Sequence, residues 1–291
     1  MNKKKFKNLI IIFLAILIFS IPNISLADEY TEIISIGADL NQDQREQIIE
    51  KLDAKSAKII EVTNEEEKLY LGDFISEEKI GNQALSCAKI EILPENKGLE
   101  IKVDDNITFI TEKMYRNALI TAGIIDAKVN VGALQKVTGT GALTGILKAY
   151  EEATGEVLDP DLKKIANEEL VITQDIATTV GKEKASEIIN IIKVKFSENM
   201  PKTENEARDI IVNISNEYNI ELTDKQIDKL TNLFMKMKDV DIDWEEVSKK
   251  ANDYAKKAKE FLESEKGQSF LQSIKNGFVA FIDFIASLFK K

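Results

Sequence analysis

Gly139-Thr140-Gly141, with Gly145 following, lies between a strand-like and a helix-like stretch. Glycines there could serve a phosphate-cradling loop, but a dinucleotide loop needs G-x-G-x-x-G, and the third glycine arrives one residue late. Free backbone N–H groups at Gly139, Thr140 and Gly141 could still hold an anion at the helix start. The simpler reading is close strand–helix packing that only small residues allow. Asp239, Asp241 and Asp243 form D-x-D-x-D, a hint of a calcium loop. An EF-hand wants glycine at loop position six and glutamate at twelve, where this chain has Trp244 and Lys250. Capping of a helix by Asp243 is the plainer role. Cys87 is the single cysteine, so no internal disulfide forms. It shares strand parity with Lys89 and Glu91, which puts it on the less buried face. Lys89 alone gives little reason for a lowered thiol pKa, and a structural role is preferred.

The chain has no histidine. This excludes Ser-His-Asp and Cys-His catalysis and every His-ligated metal site. Ser-Lys catalysis survives in principle, though no distinctive Ser-x-x-Lys context stands out, and so does a carboxylate pair, as in glycoside hydrolysis. With 50 Asp and Glu, some pair is inevitable, and the sequence nominates none. No cofactor is expected.

Export is the clearest message. Lys3, Lys4, Lys5 and Lys7 precede an apolar run from Leu9 to Ile21, and Ser25-Leu26-Ala27 offers small residues for signal peptidase. Residues 1–27 therefore read as a signal peptide cleaved after Ala27. This thirteen-residue stretch falls short of the roughly 20 apolar residues a spanning helix needs. Taking four lysines from 39 basic residues leaves 35 against 50 acids, a formal charge of −15. Such a balance disfavours nucleic acid, whose binding relies on basic patches.

The elements that must position these residues change character along the chain. Tyr30–Gly37 is a β-rich start and Lys58–Thr63 a strand candidate, and period-two runs mark strands at Ala88–Ile92, Leu99–Val103 and Ala127–Val131. Ala88–Ile92 and Leu99–Val103 flank a short Pro/Gly loop and read as a β-hairpin. Helices are expected after Asn41, over Glu112–Ala122 and over Gly141–Ala153; residues 65–81 read as helical or irregular. Beyond Gly155 only helices follow, opened by Asp159-Pro160, Thr203 with Glu206, Thr223 with Gln226, and Asp243 with Glu246. The expected fold is α+β: a mixed-sheet α/β domain over residues 28–155 and a helical domain over 156–291.

The last helix expected, over residues 270–289, is strongly amphipathic. Ile274, Phe278, Phe281, Ile282, Ile285 and Phe289 share one arc. It packs internally, or meets a partner groove or a membrane surface. Few cations on its polar face weaken the lipid version, and Asp283 argues against a span.

Several phrases carry a family resemblance: Ile36-Gly-Ala-Asp-Leu40, Gly81-Asn-Gln-Ala-Leu-Ser86, Ile107-Thr-Phe-Ile-Thr111, Met114-Tyr-Arg-Asn-Ala-Leu-Ile-Thr-Ala-Gly123, and Thr138-Gly-Thr-Gly-Ala-Leu-Thr-Gly145 running into Lys148-Ala-Tyr150. Their order and spacing over about residues 30–200 resemble the YpuA-like family, secreted Gram-positive proteins of unknown function. The resemblance implies export and a Gram-positive envelope, and brings no catalytic residues. The expectation is a secreted or envelope-associated protein, more a non-catalytic binding module than an enzyme. Its partner would be an envelope protein or surface component, with peripheral membrane contact through the last helix as one form. The alternative is an extracellular carboxylate-dependent hydrolase of cell-wall glycan. Oligomeric state is not legible.

Overall fold

The fold is known from a computed structural model, which describes residues 32–250 and 252–253. The expected signal peptide, 1–27, and the apolar arc from Ile274 to Phe289 lie outside the described residues. Five strands, β1 (Glu32–Gly37), β2 (Lys58–Val62), β3 (Cys87–Ile92), β4 (Leu99–Val103) and β5 (Ala127–Gly132), form one mixed sheet in the order β2-β1-β3-β5-β4. The described helices are α1 (Gln42–Lys51), α2 (Asn64–Leu71), α3 (Glu77–Ile80), α4 (Glu112–Thr121), α5 (Ala142–Thr154), α6 (Pro160–Val180), α7 (Lys182–Glu198), α8 (Glu204–Glu217) and α9 (Asp224–Lys238). The fold is α+β.

Local chemistry sets most helix starts. The Asn41 side chain accepts from the Gln44 N–H (3.0 Å), and the Gln44 side chain accepts from the Asn41 N–H (2.9 Å). This closed capping box satisfies two of the amide groups a helix start leaves unpaired. Thr223 and Gln226 close another. At Thr203 the box stays open: its hydroxyl accepts from the Glu206 N–H, but the Glu206 carboxylate takes the Lys202 N–H instead. Asp159 caps α6, with Pro160 in the first turn. Asp243 accepts from the Glu246 N–H (2.9 Å), and residues 244–250 are helical.

The expected hairpin does not form. β3 and β4 are not neighbours; β5 lies between them, antiparallel to β3 and parallel to β4. Alternation revealed both strands but could not reveal the third, which arrives later in the chain. Two forces favour the insertion. Ala127, Val129 and Val131 are almost wholly buried, and a central position encloses them on both sides. The linking loop is held by the entry to β5: Leu93 N–H donates to the Asp126 carbonyl, and Asn96 and Gly98 N–H donate to its carboxylate (3.0 and 2.5 Å).

The two sheet faces differ. Ile33, Ala88, Ile90, Ile101 and Val129 face a large apolar cluster beneath α4 and α5. Ile34, Ile36 and Cys87 face a small cluster with Ile48 of α1 and Leu52, which caps its C-terminus. Cys87 is therefore fully buried, not on the less buried face. Parity was read correctly, but α1 covers that side of β1 and β3. Toward β4 the same side is open and polar, with Glu100 and Lys102 exposed.

The shift to helices alone falls at Gly155, which closes α5. The apolar core continues across this point: Ile33, Leu119, Leu143, Leu170, Ile188 and Phe234 belong to one cluster. α6 and α7 pack on α4, and α9 packs on α6 and α8. Among the described residues, no helix is long and apolar enough to cross a membrane.

Candidate functional site

The loops after β1, β2 and β5 converge at one end of the sheet. After β1, Gly37 passes so close to Ala84 that an added Cβ would lie 2.1 Å from the Ala84 carbonyl oxygen. The Asp39 carboxylate accepts from the Ala84 N–H (2.7 Å). After β2, Thr63 caps α2 and sends Asn64, Glu67 and Leu71 down its buried face. After β5, Gly139 takes a φ of +94°, and its carbonyl accepts from the buried Tyr115 hydroxyl (2.5 Å). A Cβ at Gly139 would meet Ile107 and that hydroxyl, so both conformation and space require glycine.

Glu67 is the functional candidate here. It is 4 % exposed, and a Cβ on Gly141 would lie 2.2 Å from its Oε1. Its carboxyl thus rests against the start of α5, where Gly141 stands as N-cap without a side-chain capping bond. Asn64 Nδ2 donates weakly to Oε2 (3.5 Å). Burial pushes the Glu67 carboxyl up to about 7, Asn64 opposes this, and the negative charge of Asp39 adds to it. A carboxyl with that pKa can hold or give up a proton at neutral pH. Of Gly139, Thr140 and Gly141, Gly141 borders it, and the side chain nearest Gly141 is this carboxyl; Gly139 instead meets Ile107, Ile110 and Tyr115, and Thr140 is buried.

A second concentration of buried charge joins α4, α6 and α7. Lys193 Nζ donates to Glu169 Oε1 and to the Asn117 carbonyl, each at 2.8 Å. The Thr121 hydroxyl donates to Glu169 Oε2 (2.5 Å), and Asn117 Nδ2 to the Ser186 carbonyl (2.9 Å). Burial lowers the Lys193 pKa, and Glu169 works against that shift. Both charges are almost fully enclosed, so the network links helices rather than meeting a ligand.

Cys87 lies in the core, and Asp243 caps the helix that starts at Trp244. Burial pushes the Cys87 thiol up to about 11, so little thiolate exists at neutral pH. Lys250, in place of the calcium-loop glutamate, faces Asp126 and Glu246. Among the described residues, no three His, Cys, Asp or Glu side chains converge on a metal position.

Sequence reasoning missed Glu67, Asn64, Glu169 and Lys193. One signal was available for the first two: Asn64, Glu67 and Leu71 follow i, i+3, i+7 spacing, which places a carboxyl and a carboxamide on an apolar helix face. Glu169 and Lys193 are 24 positions apart on different helices, and no local spacing links them.

The recognisable phrases meet in space. Residues 36–40 touch 81–86 through Asp39 and Ala84, while Ile107, Tyr115 and Gly139 bring three further phrases together. The family model described as protein of unknown function (DUF1002) matches residues 36–254. The chain is similar to the uncharacterized protein YpuA of Bacillus subtilis (strain 168), 39% identical over 280 residues, covering 95% of this chain and 96% of that protein. No solved structure matches. With most of its length matched, the chain belongs to the DUF1002, YpuA-like family of proteins of unknown function.

Proposed function

We propose that this protein is exported to a Gram-positive cell envelope and acts there by binding a partner, not by catalysis. The supporting observation is how the fold uses its buried charges. Lys193 is spent on Glu169 and Asn117, Lys89 on the Asp53 carbonyl, and Lys163 on Glu151. These groups tie elements together. Export rests on the sequence of residues 1–27. The apolar arc with Phe278, Phe281 and Ile285 would add a contact to a partner or to a membrane surface.

The test is fractionation with N-terminal sequencing of the recovered chain. The expected product starts at Asp28 and sediments partly with the envelope, and Phe281→Asp reduces that sedimentation. Recovery of a chain starting at Met1 in the cytoplasm sinks the reading.

One observation favours a second reading, an extracellular hydrolase of wall glycan. Glu67 can carry a proton near neutrality, and the charge of Asp39 acts on it, a pattern suited to an acid beside a carboxylate. If wall glycan released by the purified protein is unchanged in Glu67→Gln and Asp39→Asn, this reading is wrong.

A further inference from the structure

α2 packs on α5 and α6 through a buried face of Asn64, Glu67 and Leu71, and two of these three are polar. Leu71 is the one large apolar side chain, and among the described residues it joins neither apolar cluster. On α5, the Thr144 hydroxyl is buried and has no hydrogen-bond partner among the described residues. Thr144 lies three residues from Gly141, which meets Glu67, and four from Lys148, which meets Glu66, so it shares their side of α5. The other fastenings of α2 sit at its rim. Lys148 Nζ donates to Glu66 Oε1 (2.5 Å) and to the Glu61 carbonyl (2.8 Å), and Lys163 lies 5.8 Å from the Tyr70 ring centre. The Lys148–Glu66 pair is half-exposed and contributes little.

The charges around Glu67 offer it no counter-ion. Lys148 of α5 is taken as described. On α6, Lys163 goes to Glu151 (2.8 Å), Lys164 pairs with Asp73, and Glu168 holds Lys236. Arg45 of α1 pairs with Glu61, and Glu77 and Glu78 of α3 are exposed. On α2 itself, Lys68 is adjacent in sequence and so lies on another side of the helix. The remaining neighbours are Asp39, which is negative, and Cys87, whose thiol stays neutral.

We propose that α2 is a pH-responsive cover over the start of α5, released when Glu67 loses its proton. It goes beyond the binding reading above and does not depend on it. A neutral carboxyl can stay packed on Gly141. An ionised one is a buried charge held by a single 3.5 Å contact from Asn64 and opposed by Asp39, and moving α2 outward hydrates it. The amide end of α5 eases that charge only in part. The direction follows from a folded pKa of about 7 against an ordinary 4.5. Below pH 4.5 the carboxyl is neutral whether α2 is seated or released. Between 4.5 and 7 the released form ionises first, so release becomes easier as pH rises, and the effect levels off above 7. Release uncovers Gly141 and the Thr144 hydroxyl at the amide end of α5.

The experiment is native-state hydrogen exchange on the full mature chain, followed by NMR and corrected for the intrinsic pH dependence of exchange. The amides of Lys68, Tyr70 and Leu71 report α2, and those of the fully buried Ile188 and Ile192 report α7. Glu67→Gln removes the ionisation, and Glu65→Gln removes an exposed charge from the same helix. Circular dichroism verifies that both variants fold. At pH 8 the α2 amides are expected to exchange at least tenfold faster than those of α7, at a rate that low urea leaves unchanged. Their protection is expected to be at least tenfold lower at pH 8 than at pH 5 in the parent and in Glu65→Gln, and to differ less than threefold in Glu67→Gln. If the α2 amides follow α7 in rate and in urea dependence, α2 opens only with the whole molecule and the proposal fails; the parent alone shows this. A pH response that survives in Glu67→Gln, or vanishes equally in Glu65→Gln, has another cause and also overturns it. None of these failures touches export or envelope association, which the fractionation test reads separately.

Discussion

Lys193 on α7 and Glu169 on α6 form a 2.8 Å ion pair almost wholly shut off from solvent, and both lean on α4. Glu169 takes the Thr121 hydroxyl, and Lys193 reaches the Asn117 carbonyl. The pair thus connects the sheet-covering helix to the two helices stacked outside it. Isolated charges would be costly there, so each depends on the other.

Removing one partner leaves the other buried and unpaired. Lys193→Met is expected to cost about 3–5 kcal/mol in urea unfolding. Lys193→Met with Glu169→Leu should recover much of that loss, because the main remaining defect is the unpaired Thr121 hydroxyl, about 1 kcal/mol, while the Asn117 carbonyl keeps its place in the helix ladder. A double variant as unstable as the sum of the two single variants would show that the charges do not act as a pair.

Glu67 predicts a pH-dependent stability with a definite sign. Its folded pKa is about 7 against an ordinary value of 4.5. Below pH 4.5 the carboxyl is protonated in both states and contributes nothing. Between 4.5 and 7 the unfolded chain ionises first, so the native state loses stability as pH rises, with the full penalty above 7. The shift corresponds to about 3 kcal/mol, and the nearby α5 N-terminus offsets up to about 1 kcal/mol for the carboxylate. Glu67→Gln should therefore match the parent at pH 4 and exceed it by about 2 kcal/mol at pH 8. A constant difference across that range in thermal unfolding would refute this.

Gly37 is a packing constraint of a different kind. The Ala84 carbonyl, 2.1 Å from its would-be Cβ, is backbone and cannot swing aside as a side chain does. Gly37→Ala should force β1 and the start of β3 apart, costing about 2–3 kcal/mol and lowering the melting temperature by roughly 5–10 °C. Unchanged melting would mean that the Asp39–Ala84 contact tolerates the shift.

Asp126 should control the loop that replaces the expected hairpin turn. Its carboxylate accepts from the Asn96 and Gly98 amides and faces Lys250 at 4.0 Å. Asp126→Ala is expected to cost about 1–3 kcal/mol and to raise hydrogen exchange at Asn96 and Gly98 most. If those two amides keep their parental protection, Asp126 does not hold the loop.

The sequence alone determined whatever depends on near neighbours. Alternation marked Ala88–Ile92, Leu99–Val103 and Ala127–Val131 as strands, because side-chain direction in a strand is set residue by residue. The boxes at Asn41 and Thr223 and the cap at Asp243 were legible because donor and acceptor lie three positions apart. The absence of histidine bounded the chemistry before any coordinate was known. Tertiary structure decided whatever depends on which segments meet. It inserted β5 between β3 and β4, laid α1 over Cys87, and joined Glu169 to Lys193 across two helices. It also gave Glu67 its shifted pKa by burying it against Gly141, 74 positions away. Burial and pairing at such separations arise from packing of the whole chain, which no local spacing encodes.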